Sequence, residues 1–147
     1  MRPSPSERRP VDLTIRPFAA EDQAAVIALW QDCRLVVPQN DPEKDIRAKV
    51  RFQPDLFLVA LLDGQLVGTV MVGYDGHRGW INYLAVAPDR RRQGIGRVLM
   101  GAAETALQAL ECPKINLQVR RTNSAVIAFY RSMGFSEDDV ISLGKRL

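Results

Sequence analysis

The stretch Arg91-Arg92-Gln93-Gly94-Ile95-Gly96 decides how this chain is read, because the residues on its two sides repeat with different periods. Upstream, Trp80-Ile81-Asn82-Tyr83-Leu84-Ala85-Val86 is β-branched and aromatic and reads as a strand, closed by the turn sequence Ala87-Pro88-Asp89. Downstream, Ile95, Leu99, Ala102, Ala103, Ala106 and Leu110 recur at helical spacing, with Arg97, Gly101, Glu104, Gln108 and Glu111 on the other face. That spacing predicts an amphipathic helix starting near Gly94. The stretch is therefore a basic, glycine-containing loop between a strand and a helix N-terminus.

Such a junction suits an anion. The first turn of a helix leaves backbone N–H groups without intrahelical partners, and the aligned peptide dipoles add partial positive charge. Gly94 and Gly96 lack a Cβ, so a phosphate can approach the backbone, and Arg90, Arg91, Arg92 and Arg97 add attraction. The loop reads as a diphosphate cradle. A Walker A loop would end in Gly-Lys-Ser/Thr, and a dinucleotide fingerprint would place a third glycine where this chain has Leu99.

Working outward, 147 residues with ordinary apolar and charged fractions fit one domain, expected over residues 12–147. Residues 1–11 carry proline, serine and arginine without an apolar run, and are expected to be a disordered tail that is neither a secretion signal nor an anchor. The net charge of +3 suits an anionic cofactor without requiring nucleic acid, and no stacking aromatics accompany the arginine run. No membrane contact is expected, since no run reaches the length of a membrane helix. Cys33, Cys112 and the one histidine, His77, have no usual zinc spacing, so no metal site is expected. Unpaired cysteines of this kind imply a reduced, cytoplasmic protein.

Leu13–Arg16 reads as a short strand ended by Pro17, and Asp22–Cys33 as a helix. Asp41 can cap a second helix with Pro42 in its first turn, whose buried stripe is expected to be Ile46 and Val50. Leu56–Leu62 and Leu66–Tyr74 flank Asp63-Gly64, a hairpin signal, and Asp75–Gly79 turns into the Trp80 strand. After the central helix, Ile115, Leu117 and Val119 alternate as a strand; Asn123 can cap a helix over Ser124–Met133, stopped by Gly134. Phe135 and Val140–Leu143 are expected to be two last strand pieces.

The loop resembles the Arg/Gln-x-x-Gly-x-Gly/Ala signature of the GCN5-related N-acetyltransferase (GNAT) superfamily, matched by Arg91, Gly94 and Gly96. Asn123, Ala125, Phe129-Tyr130 and Gly134-Phe135 resemble a second pattern of that family, and the element order past the tail is the family's. Asn40-Asp41-Pro42, Tyr74–Gly79, Cys112–Ile115 and Ser142–Leu147 look like the bacterial YpeA-like acetyltransferases. The resemblance implies an α/β (α+β) fold, with a mixed central sheet of about six to seven strands, four helices, and strands splayed at the coenzyme site.

It also implies an acyltransferase that moves the acetyl group of acetyl-CoA to an amine, with coenzyme A as product. The amine belongs to a small molecule or a protein. By resemblance Arg91, Arg92, Gln93, Gly94, Ile95, Gly96 and Arg97 hold the diphosphate, and Leu84, Ala85 and Val86 supply the edge for the pantetheine arm. Tyr130 matches the position of a phenol that protonates the departing thiolate, although core packing accounts for it too. Asn123 matches a coenzyme contact, although a helix cap explains it as well. Asn40, Asp41, Asn82 and Tyr83 fall where acceptors bind, and Asp41 has a cap role of its own. Asn82 stands where many relatives carry a glutamate base, which leaves a water relay, Asp75, His77 or a neutral amine to manage the proton. It also leaves open an acetyl-CoA-binding sensor without turnover. A homodimer through the apolar C-terminal strand is a further option.

Overall fold

The computed structural model describes residues 12–147. The expected tail, residues 1–11, lies outside the described residues. Two compact units divide the chain, one running through Leu117 and the other spanning Gln118–Leu147.

The first unit is built on a five-stranded sheet in spatial order β1 (Leu13–Pro17), β2 (Phe57–Leu62), β3 (Gln65–Tyr74), β4 (Gly79–Val86) and β5 (Ile115–Leu117). The first four strands are antiparallel neighbours, and β5 runs parallel to β4. Local chemistry sets the connections. Asp63 and Gly64 both take positive φ (51° and 80°), as the tight hairpin between β2 and β3 requires. In the next turn the Asp75 carboxylate accepts from the backbone N–H groups of His77 (2.8 Å) and Arg78 (2.7 Å), which fixes β4 against β3.

Three helices cover this sheet: α1 (Gln23–Asp32), α2 (Pro42–Phe52) and α3 (Ile95–Ala109). Successive residues of a strand face opposite ways, so Gly68 and Thr69 of β3 show which helix lies where. Thr69 Oγ1 accepts a hydrogen bond from Trp30 Nε1 of α1 at 2.9 Å, whereas a Cβ on Gly68 would meet Leu99 of α3 at 2.9 Å. Helix α1 therefore covers one face and α3 the other. On the α1 face, Val26, Leu29, Trp30 and Ile46 pack with Phe57, Val59 and Ala85. In the second unit, α4 (Ser124–Ser132) begins at Asn123, whose Oδ1 accepts from Val126 N–H at 3.3 Å.

Several expectations need correction. The sheet has five strands among the described residues, not six to seven. Residues 135–147 contain no strand, and Val140, Ile141 and Leu143 are exposed. A β-rich run becomes a strand only where an edge takes up its backbone groups, and no described strand does so here. Strand β5 stops at Leu117, short of Val119, and Pro17 ends inside β1, opposite Leu58.

Helix α2 buries Ile46 as expected, but Val50 is exposed and Lys49 is buried. Strand β2 begins opposite Met71, so β3 has no strand beside it on that edge from Val72 to Tyr74. Lys49 Nζ donates to the Val72 carbonyl there, and the Gln53 carboxamide pairs with both backbone groups of Tyr74 (3.2 and 2.9 Å). The buried lysine thus serves an orphaned strand edge, at the cost of desolvating its charge.

Candidate active site

Strand β4 leads into a 3-10 turn at Pro88–Arg90 and then the basic loop. Arg92 and Gly94 both adopt left-handed φ (64° and 80°), and Ile95, fully buried, starts the fifteen-residue helix α3. Alternating left-handed residues turn successive N–H groups toward one concavity, an arrangement suited to anions. The N-cap residue Gly94 makes no side-chain cap hydrogen bond, so no capping side chain competes for the first-turn N–H groups of α3. Arg91 Nε donates to the Val86 carbonyl at 3.4 Å, tying the loop to the end of β4. Arg91 and Arg92 are exposed, and Gln93, Gly96 and Arg97 are half-buried. These groups fit a diphosphate: backbone N–H donors, exposed and half-buried cationic side chains, and glycine at the helix start.

Just before this loop, β4 is irregular. Thr69 pairs with Ala85 but Met71 pairs with Asn82, so two residues, Tyr83 and Leu84, stand against Val70 alone. Tyr83 holds a φ of 50°, which costs a non-glycine residue roughly 1–3 kcal/mol. Its surroundings fix that conformation. Thr69 Oγ1 donates to the Tyr83 carbonyl at 2.8 Å while accepting from Trp30, and the Tyr83 ring stacks on Trp30 with centroids 3.8 Å apart. On the other side of β4, the parallel ladder with β5 covers only Gly79, Trp80 and Ile81. From Asn82 to Val86, including Leu84 and Ala85, no described strand pairs with that edge.

The Tyr83 hydroxyl lies beside the N-terminal half of α2. It donates to Asp45 Oδ2 at 2.6 Å and accepts from Asn40 Nδ2 at 2.6 Å. Asn40 is itself held by the Leu35 carbonyl (3.3 Å) and the Val37 N–H (3.0 Å). Burial first, and then the hydrogen bond to Asp45, push the Tyr83 phenol up to about 12. Asp41 is the helix cap, its Oδ1 accepting from Lys44 N–H at 3.2 Å, and Asn82 is exposed on the strand. Asp45 joins this candidate site through its hydrogen bond to Tyr83, and sequence reasoning missed it. Its signal is the spacing of one helical turn from Asp41, which puts both carboxylates near one face of α2.

Asn40, Tyr83, the Leu84–Val86 edge and the Arg91–Arg97 loop all belong to the first unit; Asn123 and Tyr130 belong to the second. Asn123 caps α4. Tyr130 is buried, edge-on to Phe129 (5.2 Å) and Phe135 (5.5 Å), and burial pushes its phenol up to about 12. Asp75 serves the β3–β4 turn, where its carboxylate also accepts from Trp80 Nε1 at 3.2 Å. The two N–H bonds from Arg78 and His77 hold it below the usual carboxylate range. His77 is exposed in the same turn, at the end of β4 away from the bulge. Among the described residues no group of three or more His, Cys, Asp or Glu side chains can hold a metal ion, and no helix is long and apolar enough to cross a membrane.

A bulged, half-unpaired strand running directly into a basic loop and a helix start is the arrangement expected of a coenzyme-dependent acyltransferase fold. The particular family follows from comparison: residues 23–135 match the Acetyltransferase (GNAT) family, and the chain belongs to it. An acetyltransferase of Pectobacterium atrosepticum is 51% identical over 135 residues, covering 92% of this chain and 96% of that relative. Among solved structures, Ard1 of Thermoplasma volcanium aligns with a TM-score of 0.77 at 28% identity, covering 86% of this chain and 84% of that one. The PaiA N-acetyltransferase of Thermoplasma acidophilum, in complex with coenzyme A, shares the fold with a TM-score of 0.71 at 24% identity, over 88% and 92% of the two chains. Acetyl-CoA-dependent acyl transfer is the general chemistry of this family, and the chain is accordingly an acyltransferase.

Proposed function

We propose that this chain is an N-acetyltransferase that moves the acetyl group of acetyl-CoA to an amine of a small molecule or a protein, by direct attack of the amine. The observation that carries this reading is the continuity of two features. The unpaired, bulged edge of β4 runs straight into the Arg91–Gly96 loop, and Arg91 ties the two together.

Acetyl-CoA supplies an acetyl group activated as a thioester with a thiolate leaving group. The chain's own residues have three tasks around it. N–H groups of the Arg91–Gly96 loop, with Arg92 and Arg97, would hold the diphosphate. Backbone groups of Leu84, Ala85 and Val86 would pair with the pantetheine arm as a strand would, and Asn123 would add a contact. Fixed N–H donors at the bulge are suited to charge developing on the carbonyl oxygen. Tyr130, neutral at physiological pH, can give a proton to the sulfur. Asn40, Asp41, Asn82 and Tyr83 would line the acceptor side. The family match crosses both compact units, which supports one acetyltransferase domain over residues 12–147. A homodimer through the exposed Val140–Leu143 segment and a cytoplasmic setting complete the reading.

The test is release of free thiol from acetyl-CoA in the presence of a panel of primary amines. Transfer to any of them, reduced at least tenfold by Tyr130→Phe, is the expected outcome. Acetyl-CoA binding with no transfer to any amine would instead assign a sensor role.

A further inference from the structure

We propose that Tyr83 and Asp45 form a proton relay for the acceptor amine, in which the Tyr83 phenol oxygen receives the amine's proton while its own proton passes to Asp45. This inference rests on the acetyl-transfer reading above and supplies the proton acceptor which that reading lacks. The strand itself offers none: Asn82 carries a carboxamide, and Asp75 and His77 sit in the turn at the opposite end of β4.

Tyr83 is the residue whose backbone forms the bulge, so its side chain departs from the same point of β4 at which the unpaired edge begins. Stacking on Trp30 fixes the ring, and the hydroxyl is addressed from two sides. A phenol oxygen has one proton and two lone pairs. Asp45 takes the proton and Asn40 occupies one lone pair, which leaves the second for an incoming amine N–H. Asp45 and Asn40 are both half-buried, so a neutral amine can reach the hydroxyl and a proton on Asp45 can leave to water. The charged groups acting on the phenol are Asp45 of α2 and that helix's cap, Asp41; Trp30 of α1 and Thr69 of β3 bring no charge. With its pKa pushed up to about 12, the phenol stays protonated at working pH and acts as a conduit, not as a standing base.

The step balances. The amine lone pair forms the bond to the acetyl carbon. One N–H proton moves to the Tyr83 oxygen as the Tyr83 proton moves to Asp45 Oδ2. The carbon–sulfur bond breaks, with its electron pair on sulfur, which then takes a proton. Asp45 returns to the carboxylate by releasing its proton to solvent.

The test uses the full chain and two variants, Tyr83→Phe, which keeps the stacking ring, and Asp45→Asn, which keeps a hydrogen-bond acceptor. Thiol release is followed against pH with acetyl-CoA and a panel comprising a lysine-containing peptide, a peptide with a free N-terminal alanine, and 1,4-diaminobutane. Each variant is expected to lose roughly a hundredfold in kcat at neutral pH, with acetyl-CoA Kd unchanged within about twofold by calorimetry. Variant rates should climb with pH where the wild-type profile has levelled. A readout independent of turnover is the NMR titration of the tyrosine ring carbons, in which Tyr83 should deprotonate at lower pH in Asp45→Asn than in wild type. Wild-type kcat and pH profile in both variants, an unmoved Tyr83 titration, or loss of coenzyme affinity in step with rate would each overturn the relay and leave Tyr83 as a clamp on the bulge. If wild type binds acetyl-CoA but acetylates no amine, the acetyl-transfer reading fails, and the relay with it.

Discussion

The two halves of β4 are built to different rules. Gly79, Trp80 and Ile81 have strands on both sides, β3 and β5, in regular register. Asn82 to Val86 have β3 alone, and the register breaks at Tyr83, whose backbone is strained and held by Trp30 and Thr69. A strand that only held the sheet together would gain by continuing the first pattern. The departure from it concentrates strand-unpaired backbone groups and strain beside the basic Arg91–Gly96 loop, as bulges do where they re-aim groups for function.

Trp30→Ala should break the contrast most thoroughly. It removes a fully buried indole and the stack under Tyr83, and is expected to cost about 3–5 kcal/mol by urea unfolding. Acetyl-CoA affinity should fall as well, because the bulge loses its support. Ile81→Ala, in the regular half, sharpens the contrast. The buried side chain is worth about 2–5 kcal/mol, yet coenzyme affinity per folded molecule should stay within about twofold of wild type.

Thr69→Val is nearly isosteric but leaves the Trp30 indole N–H without its partner and frees the Tyr83 carbonyl. About 1–3 kcal/mol of stability should go, together with a weaker coenzyme complex in calorimetry. The smallest effect belongs to Lys49, which serves the β3 edge at Val72. Burial lowers its pKa from 10.5 to about 8, so between those values the unfolded chain binds more protons than the folded one. Stability contributed at this site should therefore rise as pH goes from about 8 toward 10.5. The difference between wild type and Lys49→Met in unfolding free energy, measured at pH 7.5 and pH 9.5, should shift in favour of wild type at the higher pH.

Much of the regular half of this molecule was legible in the sequence. Asp63-Gly64, the Pro42 helix start and the period change at Gly94 are local signals, and each element they mark is present. The glycine and arginine spacing of the proposed diphosphate loop lies within six residues and was likewise a local signal, and the loop and helix start that it marks are present. The bulge was not, because a strand with one extra residue looks like any strand until its partner is known. Lys49 was hidden because its burial depends on where β2 begins relative to β3, a pairing that no local spacing reveals. Asp45 was passed over because a charged residue inside a charged helix carries no mark until Tyr83 meets it. The C-terminal run failed in the opposite sense: Val140–Leu143 has strand chemistry, and no described strand pairs with it.

The most direct test of the coenzyme reading is calorimetric titration of acetyl-CoA into wild type and Gly96→Glu, with folding of both verified by circular dichroism. A carboxylate at that position should repel the diphosphate and occupy the approach to the helix start. Saturable binding to wild type with at least a hundredfold weaker binding to the variant is the predicted result. Equal binding by both proteins, or none by either, would contradict the assignment of the Arg91–Gly96 loop.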